Sequence, residues 1–223
     1  MSMSVLQSQE FIAAKTEKSY YADHYRAMED LYLPDLSDRL DQIAPTPRRV
    51  LDIGPGWGTQ LIWFASRDHQ LTAMDLLPIG TFVSADTLQE IAQKTGQYVA
   101  WTEHDILKAR IEATFDLILA SQVIPHLKFR PDAAMRHIAQ MLDPKGVFVC
   151  VVLDRDGHPK VAAPYDRWEE LPDYGTGPGV PEMVTCMYDA EGLRRLLRTA
   201  FGDVSVQPLG AYCLIGEGRE GRP

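Results

Sequence analysis

The chain has 223 residues, with 22 basic and 31 acidic side chains and a formal net charge of −9. It is 45% hydrophobic and 24% charged, an ordinary globular composition that excludes a disordered, collagen-like or coiled-coil chain. The acidic balance argues against a general nucleic-acid-binding protein, which needs a basic face. The length favours one domain of roughly 200 residues.

The N-terminal residues contain no apolar signal-peptide core, and the apolar stretches fall short of the ~20 residues of a membrane span. Cys150, Cys186 and Cys213 are too few and too scattered for a disulfide framework or a structural zinc site. No histidine pair at helical spacing accompanies a carboxylate. We therefore expect a reduced, soluble, cytoplasmic protein with no metal site.

In chain order, the first 45 residues are predicted to be helical, because apolar residues recur at spacings of three and four. After Pro45 and Pro47, short apolar strands alternate with helices. The predicted strands are 49–53, 69–74, 98–103, 115–120 and 147–153, and the predicted helices are 60–66, 85–94 and 131–142. This alternation predicts βαβ units and a parallel sheet covered on both faces. His69 and His137 are expected to face solvent.

The pattern changes at residues 154–187, which are rich in proline and glycine and have no sustained period. Long loops of this kind are usually functional or disordered, so we interpret the segment as a substrate-side insertion. Its candidate contacts are His158, Tyr165, Asp166, Trp168 and Glu169. A last helix at 189–200 and a hairpin of strands 204–208 and 211–215 follow, and the tail 216–223 is predicted to be frayed.

The most informative stretch is VLDIGPGWGT, residues 50–59, in which a strand runs into three alternate glycines and then a helix. Glycine permits a tight turn and lets a ligand approach bare backbone. The dinucleotide fingerprint G-x-G-x-x-G would have its third glycine at Thr59, whereas this chain has G-x-G-x-G. Asp52 suits a cationic group, and Asp75, at the end of the second strand, suits ribose hydroxyls. The pattern indicates a ligand with a ribose at one end and a cationic amino acid at the other.

At these positions the sequence resembles the class I S-adenosylmethionine-dependent methyltransferases. The match comprises D-x-G-x-G-x-G at 52–58, Asp75 after the second strand, HDI at 104–106 after the third, and FDLI at 115–118 as the fourth. The resemblance covers roughly residues 48–216. It implies an α/β, Rossmann-like three-layer αβα fold, in which the seven-stranded, mostly parallel sheet has an antiparallel last strand. It further implies a helical cap, residues 1–45, and a methyltransferase domain, residues 46–218, with the insertion at about 154–187.

The resemblance also implies roles for individual residues toward S-adenosylmethionine and its product S-adenosylhomocysteine. The three loop glycines would wrap the methionine part, the carboxylates would face the ammonium, ribose and adenine groups, and further side chains would line the mouth of the site. The implied cofactor contacts are Asp52, Gly54, Gly56, Gly58, Asp75, Leu76, Asp105, Ile106, Ser121, Gln122, Tyr21 and Tyr25. His126 is the candidate general base, because a histidine there can titrate near neutral pH.

The leading hypothesis is a methyltransferase acting on oxygen, nitrogen, sulfur or carbon of a small-molecule metabolite. A protein or peptide methyltransferase is one alternative, and a non-catalytic cofactor-binding partner or sensor is another. Charge disfavours RNA methylation, and Thr59 and Asp52 disfavour an NAD(P) enzyme. Neither a nucleic-acid nor a membrane partner is expected, and the sequence leaves the oligomeric state, the acceptor molecule and the acceptor atom open.

Overall fold

The computed structural model describes residues 32–46, 48–79, 82–127, 131–157 and 186–221, together with Gln7, Glu10 and Glu169. The chain forms two compact units, Met1–His104 and Asp105–Pro223.

The first unit alternates helices and strands. Its described elements are helix α1 (Leu33–Ile43), strand β1 (Arg49–Ile53), helix α2 (Thr59–Ala65), strand β2 (Gln70–Asp75), helix α3 (Ala85–Thr95) and strand β3 (Val99–Glu103). Helix α3 begins after Ser84, whose hydroxyl accepts a hydrogen bond from the Thr87 amide at 3.0 Å, and ends at Gly96 with φ 76°. The helices and strands predicted from residue 49 onward in this unit are confirmed to within one residue at each end.

The three strands of this unit are parallel. Ile53 of β1 lies opposite Met74 of β2, and Asp75 of β2 lies opposite Glu103 of β3. Four of the five residues of β1 are buried, as expected of a strand covered on both faces. Because the strands are parallel, their carboxyl ends meet at one edge of the sheet, where Asp52 and Asp75 lie.

The second unit holds the remaining strands. Its elements are strand β4 (Phe115–Ser121), a short 3₁₀ helix (Ile124–His126), helix α4 (Pro131–Met141), strand β5 (Leu142–Leu153), helix α5 (Ala190–Arg198), and strands β6 (Phe201–Leu209) and β7 (Cys213–Gly221). Asp189 caps α5 as predicted, since its carboxylate accepts a hydrogen bond from the Gly192 amide at 2.5 Å.

Strand β5 begins earlier than predicted. Leu142 already pairs with Phe115, and Val147 pairs next, with Leu117. Over this interval β4 advances by two residues and β5 by five, so 143–146 form an irregularity at the start of the strand. The turn predicted there survives locally, because the Lys145 amide donates to Asp143 Oδ1 at 3.1 Å.

The prediction of a frayed tail from residue 216 is wrong. Residues 216–221 belong to β7, which is antiparallel to β5 on one side and to β6 on the other. The glycines on which the prediction of fraying rested lie where neighbouring side chains occupy the space of a Cβ atom. A Cβ on Gly216 would lie 2.8 Å from Leu197 Cδ1, and one on Gly218 would lie 2.6 Å from the Phe201 ring. The segment is therefore ordered by packing that requires glycine.

The strands form one seven-stranded sheet in the order β3-β2-β1-β4-β5-β7-β6. Strand β7 is antiparallel to both of its neighbours, whereas the pairs β1–β2, β2–β3 and β4–β5 are parallel. With its flanking helices, this sheet is the predicted Rossmann-like α/β fold with an antiparallel last strand. Within the described parts of the chain, no helix has the length and apolarity to cross a bilayer.

The prediction that His69 faces solvent is wrong. Its side chain is 2% exposed, and its Nδ1 accepts a hydrogen bond from the Arg48 amide at 3.1 Å. The ring also packs edge-on against Phe64, with 5.4 Å between the ring centroids. Burial lowers the pKa of His69, and this histidine joins the core at the start of β2.

Candidate functional site

A glycine loop follows β1 in the first unit. The Gly54 amide donates to the Met74 carbonyl at 2.7 Å, so the pairing with β2 continues past the end of the strand. The φ angles of Gly54, Gly56 and Gly58 are 63°, 53° and 90°, a left-handed region in which other residues are strained. Among the described residues other than its chain neighbours, nothing lies within 4 Å of the position that a Cβ on Gly56 would occupy. The loop thus exposes bare backbone to an open space.

Asp52 lies two residues before this loop and is 2% exposed. Its Oδ2 is buried and has no hydrogen-bond partner among the described residues. Burial, with a further contribution from the negative charge of Asp75, raises the pKa of Asp52 to about 8. A buried carboxyl oxygen without a partner is unfavourable, so a cationic donor placed here would stabilise the ionised carboxylate.

Asp75 is the last residue of β2, and a backbone amide of the following loop already donates a hydrogen bond to its carboxylate. Oδ1 accepts a hydrogen bond from the Leu77 amide at 2.9 Å, and the Asp75 carbonyl accepts one from the His104 amide at 2.8 Å. Burial raises the pKa of Asp75, whereas backbone hydrogen bonds from Leu77 and Leu76 lower it. Because a carboxylate offers about four acceptor positions, Asp75 can still receive a hydroxyl group.

Apolar side chains lie exposed directly after Asp75. Leu76 is 66% exposed, and Leu77, Ile79 and Phe82 are each about 40% exposed. Trp57, inside the glycine loop, contacts Phe82 edge to face at a centroid distance of 5.5 Å. The first unit therefore presents apolar surface beside the buried carboxyl group of Asp52 and the half-buried one of Asp75, a combination that suits a ligand with flat apolar and charged parts.

In the second unit, Asp105 organises the turn after β3. Its Oδ1 accepts a hydrogen bond from the Leu107 amide at 3.0 Å, and its Oδ2 lies 3.5 Å from Lys108 Nζ. Ile106 is 6% exposed, so its side chain lies almost entirely within the protein surface. The carbonyl oxygen of Ile106 lies 2.7 Å from Nδ1 of His137 on α4. His137 was predicted to face solvent; it is instead half-buried against this turn.

Ser121 and Gln122 lie at the carboxyl end of β4. Gln122 has a φ of 58°, which is uncommon for a residue with a side chain and often marks a functional site. Its amide donates to the Val151 carbonyl at 2.8 Å, and its Nε2 donates to Cys213 Sγ at 3.6 Å. Neither the φ angle nor these distant partners leave a signal in the local sequence.

His126 ends the short 3₁₀ helix just beyond Gln122. Its amide donates to the Val123 carbonyl at 2.9 Å, and its side chain reaches the surface. Desolvation by the surrounding protein lowers the pKa of His126 below its usual value. A neutral imidazole at the carboxyl edge of the sheet can accept a proton.

The two ends of the predicted insertion are held beside this edge. Asp154, which follows β5, pairs with Tyr188, and the Arg155 amide donates to the Tyr188 carbonyl at 2.9 Å. The Cys186 amide donates to the Pro125 carbonyl at 2.9 Å, next to His126. Of the predicted insertion contacts, only Glu169 is described, and it accepts a hydrogen bond from Arg195 Nε at 3.1 Å.

Other predicted positions cannot be placed. Tyr21 and Tyr25 lie outside the described residues, as do His158, Tyr165, Asp166 and Trp168. Over the described ranges, no group of three or more His, Cys, Asp or Glu side chains is arranged to hold a metal ion.

The parallel strands, the glycine loop after β1 and the acidic residue ending β2 define the class of Rossmann-like proteins that bind a nucleoside-containing cofactor. Within that class, the chain belongs to the methyltransferase-domain family, whose model matches residues 22–202. The resemblance to the class I S-adenosylmethionine-dependent methyltransferases is thereby confirmed. No curated protein matches the sequence significantly.

Several solved structures share the fold. The 1,6-didemethyltoxoflavin-N1-methyltransferase of Burkholderia thailandensis, crystallised with 1,6-didemethyltoxoflavin and S-adenosylhomocysteine, is 21% identical, with a TM-score of 0.63 over 99% of this chain and 92% of that one. DhpI, crystallised with S-adenosylhomocysteine, is 19% identical, with a TM-score of 0.66 over 100% of both chains. The N-methyltransferase NodS of Bradyrhizobium japonicum, also crystallised with S-adenosylhomocysteine, is 20% identical, with a TM-score of 0.54 over 84% of this chain and 88% of that one. At these identities the likeness concerns the fold.

Proposed function

We propose that the protein transfers a methyl group from S-adenosylmethionine to an oxygen, nitrogen, sulfur or carbon atom of a small-molecule metabolite. The observation that carries the proposal is the buried Asp52 carboxyl group, two residues before the glycine loop. Within the described part of the chain, its Oδ2 has no partner and the space at Gly56 is open. A ligand that combines an ammonium group with a compact aliphatic chain fits both features. The family match and the S-adenosylhomocysteine in similar structures support this cofactor.

In the first unit, Asp52 would pair with the ammonium group of the methionine part, and Gly54, Gly56 and Gly58 would contact that part through backbone. Asp75 would accept hydrogen bonds from the ribose hydroxyls, because Leu77 occupies only part of its capacity. Leu76, two-thirds exposed, would cover one face of the adenine ring. These roles rest on the exposed and unpartnered groups described above.

In the second unit, Asp105 would accept a hydrogen bond from the adenine amino group, with Ile106 beside it. Ser121 and Gln122 would line the mouth of the site at the carboxyl end of β4. Tyr21 and Tyr25, outside the described residues, stay predicted contacts. The left-handed conformation of Gln122 supports a role for this residue, since strained backbone persists only where its surroundings enforce it.

S-adenosylmethionine supplies an electrophilic methyl group on a positively charged sulfur. The residues above would hold the reacting atoms in line, and positioning of this kind can contribute ~7–11 kcal/mol. His126 would take the proton from an acceptor that carries one, because its lowered pKa keeps the imidazole neutral at pH 7. A positioned base contributes roughly 10²–10⁴-fold in rate.

A small-molecule acceptor is favoured by three observations. The net charge of −9 opposes a nucleic-acid substrate. The ends of the 154–187 insertion are attached next to His126 and Asp154, where a substrate-side segment would begin and end. One protein of the same fold was crystallised with a small acceptor, 1,6-didemethyltoxoflavin. The helical cap at 1–45 stays a prediction, and the buried thiols of the three cysteines suit the cytoplasm.

The first test is calorimetric titration with S-adenosylmethionine and, separately, S-adenosylhomocysteine. We expect micromolar binding of both, and a loss on the order of 1–3 kcal/mol for Asp75→Ala as hydrogen bonds to a charged group are removed. Asp203→Ala, which removes an exposed carboxyl group on β6, is the matched control and should bind normally. Failure of the wild-type protein to bind either compound contradicts the proposal.

The second test is methyl transfer to fractionated metabolites, with peptides as a parallel pool. Labelling of a small molecule supports the proposal, whereas labelling of peptides alone identifies a peptide methyltransferase. Tight cofactor binding with no transfer to either pool identifies a sensor. With an acceptor in hand, His126→Ala should lower kcat by about 10²–10⁴-fold, provided that the methylated atom loses a proton.

A further inference from the structure

The turn after β3 is held together from within. Besides the Leu107 amide, which donates to the Asp105 carboxylate at 3.0 Å, the amides of Lys108 and Ala109 donate to the Asp105 carbonyl at 2.9 and 3.3 Å. These bonds join residues no more than four positions apart. They determine the shape of the turn, but they do not fix its position relative to the helices and strands of the unit.

The contact between Ile106 and His137 links the turn to helix α4. The carbonyl oxygen of Ile106 lies 2.7 Å from His137 Nδ1, across 31 residues of sequence. A carbonyl oxygen can only accept, so Nδ1 carries the hydrogen, and an imidazole can keep it there in both its neutral and its protonated form. Helix α4 is itself anchored, because Met135, Ile138 and Ala139 are buried.

We propose that His137 is a positioning residue for adenine recognition, holding the 105–108 turn so that the Asp105 carboxylate faces the adenine amino group. The inference rests on the proposed function, since it assigns Asp105 to that amino group. His137 itself acts through the backbone of Ile106. The neighbouring buried side chain of Ile106, 6% exposed, fastens the same turn by packing. Ile106 thus attaches the turn to the rest of the unit in two ways, by the hydrogen bond of its carbonyl oxygen and by the burial of its side chain.

The test compares three variants by calorimetry with two ligands. His137→Leu removes the donor, and His137→Asn keeps an N–H near the position of Nδ1. Gln140→Leu, which replaces an exposed polar residue of the same helix, is the matched control. The ligands are S-adenosylhomocysteine and S-inosylhomocysteine, in which an oxygen replaces the adenine amino group. The ratio of the two affinities reports how strongly the protein recognises the amino group. A general loss of structure would weaken the binding of both ligands equally and leave this ratio unchanged.

We expect His137→Leu to weaken S-adenosylhomocysteine binding about three- to tenfold, the equivalent of one hydrogen bond, and to weaken S-inosylhomocysteine less. His137→Asn should restore both the affinity and the preference, and Gln140→Leu should match the wild type. If His137→Leu does not fold, His137→Ala takes its place. Equal weakening toward both ligands, or unchanged binding, overturns the positioning role. Failure of the wild type to bind either ligand overturns the proposed function instead.

Discussion

Asp75, at the end of β2, reinforces the effect of burial on the pKa of Asp52, on the adjacent parallel strand β1. The negative charge of Asp75 disfavours ionisation of Asp52, and burial disfavours ionisation of both carboxyl groups. A ligand that brings a positive charge to Asp52 removes this repulsion. The acidic pair therefore supports the proposal that Asp52 binds a cationic group of the ligand.

The first prediction concerns the pH dependence of binding. With a pKa of about 8, Asp52 carries a proton at neutral pH in the ligand-free protein, and it must lose that proton to pair with an ammonium group. The affinity for S-adenosylhomocysteine should rise from pH 6 to pH 8 by up to about tenfold per pH unit. Calorimetry in buffers of different ionisation enthalpy should detect proton release. Asp52→Asn should release no proton from this position; release equal to that of the wild type would contradict the assignment.

The second prediction concerns stability without ligand. The pKa of Asp52 is raised from 3.8 to about 8, so between these values the folded protein holds a proton that the unfolded chain has lost. The stabilisation from this group is complete below about pH 4 and is lost as the pH rises towards 8. Urea unfolding at pH 5 and pH 8 should show a larger loss for wild type than for Asp52→Asn. Parallel losses in the two proteins would show that Asp52 ionises normally.

The third prediction concerns a side chain at Gly56, which would both strain the backbone and enter the space proposed for the ligand. Of the other described residues, none comes within 4 Å of a Cβ there, but the φ of 53° strains any L-residue by about 1–2 kcal/mol. Gly56→Ala should therefore fold with a modestly lower melting temperature and lose most of its cofactor affinity, because the methyl group enters the ligand's space. Gly96→Ala, at a helix end with φ 76° and equally open surroundings, is the control for strain. Equal cofactor affinity in the two variants would show that the cofactor does not bind at this loop.

The fourth prediction concerns the backbone of Gln122. At φ 58°, glycine is unstrained, whereas a β-branched residue is disfavoured. Gln122→Val should unfold at a lower temperature than Gln122→Gly, by the equivalent of about 1–2 kcal/mol. Both variants lose the hydrogen bond to Cys213, so the comparison isolates the backbone. Equal melting temperatures would show that this conformation is not maintained in solution.

Local sequence patterns predicted most of the helices and strands. The errors concern residues whose environment is set by parts of the chain distant in sequence. β1 and β4 were found because buried parallel strands read as continuous apolar runs. Strand residues 216–221 were not predicted, because a terminal segment of glycines and charged residues has the composition of an unstructured tail. The order of these residues depends on β5 and β6 on either side and on the rings and methyl groups that fill the space of the missing Cβ atoms.

The candidate site divides in the same way. The sequence alone determined the glycine loop, Asp52 and Asp75, because each is defined by its distance along the chain from the end of a strand. Only the tertiary structure decided that His69 is buried, that Gln122 is left-handed and that His137 holds the turn of Ile106. These features depend on hydrogen-bond partners 21 to 91 residues away, and no local periodicity encodes a partner at that separation.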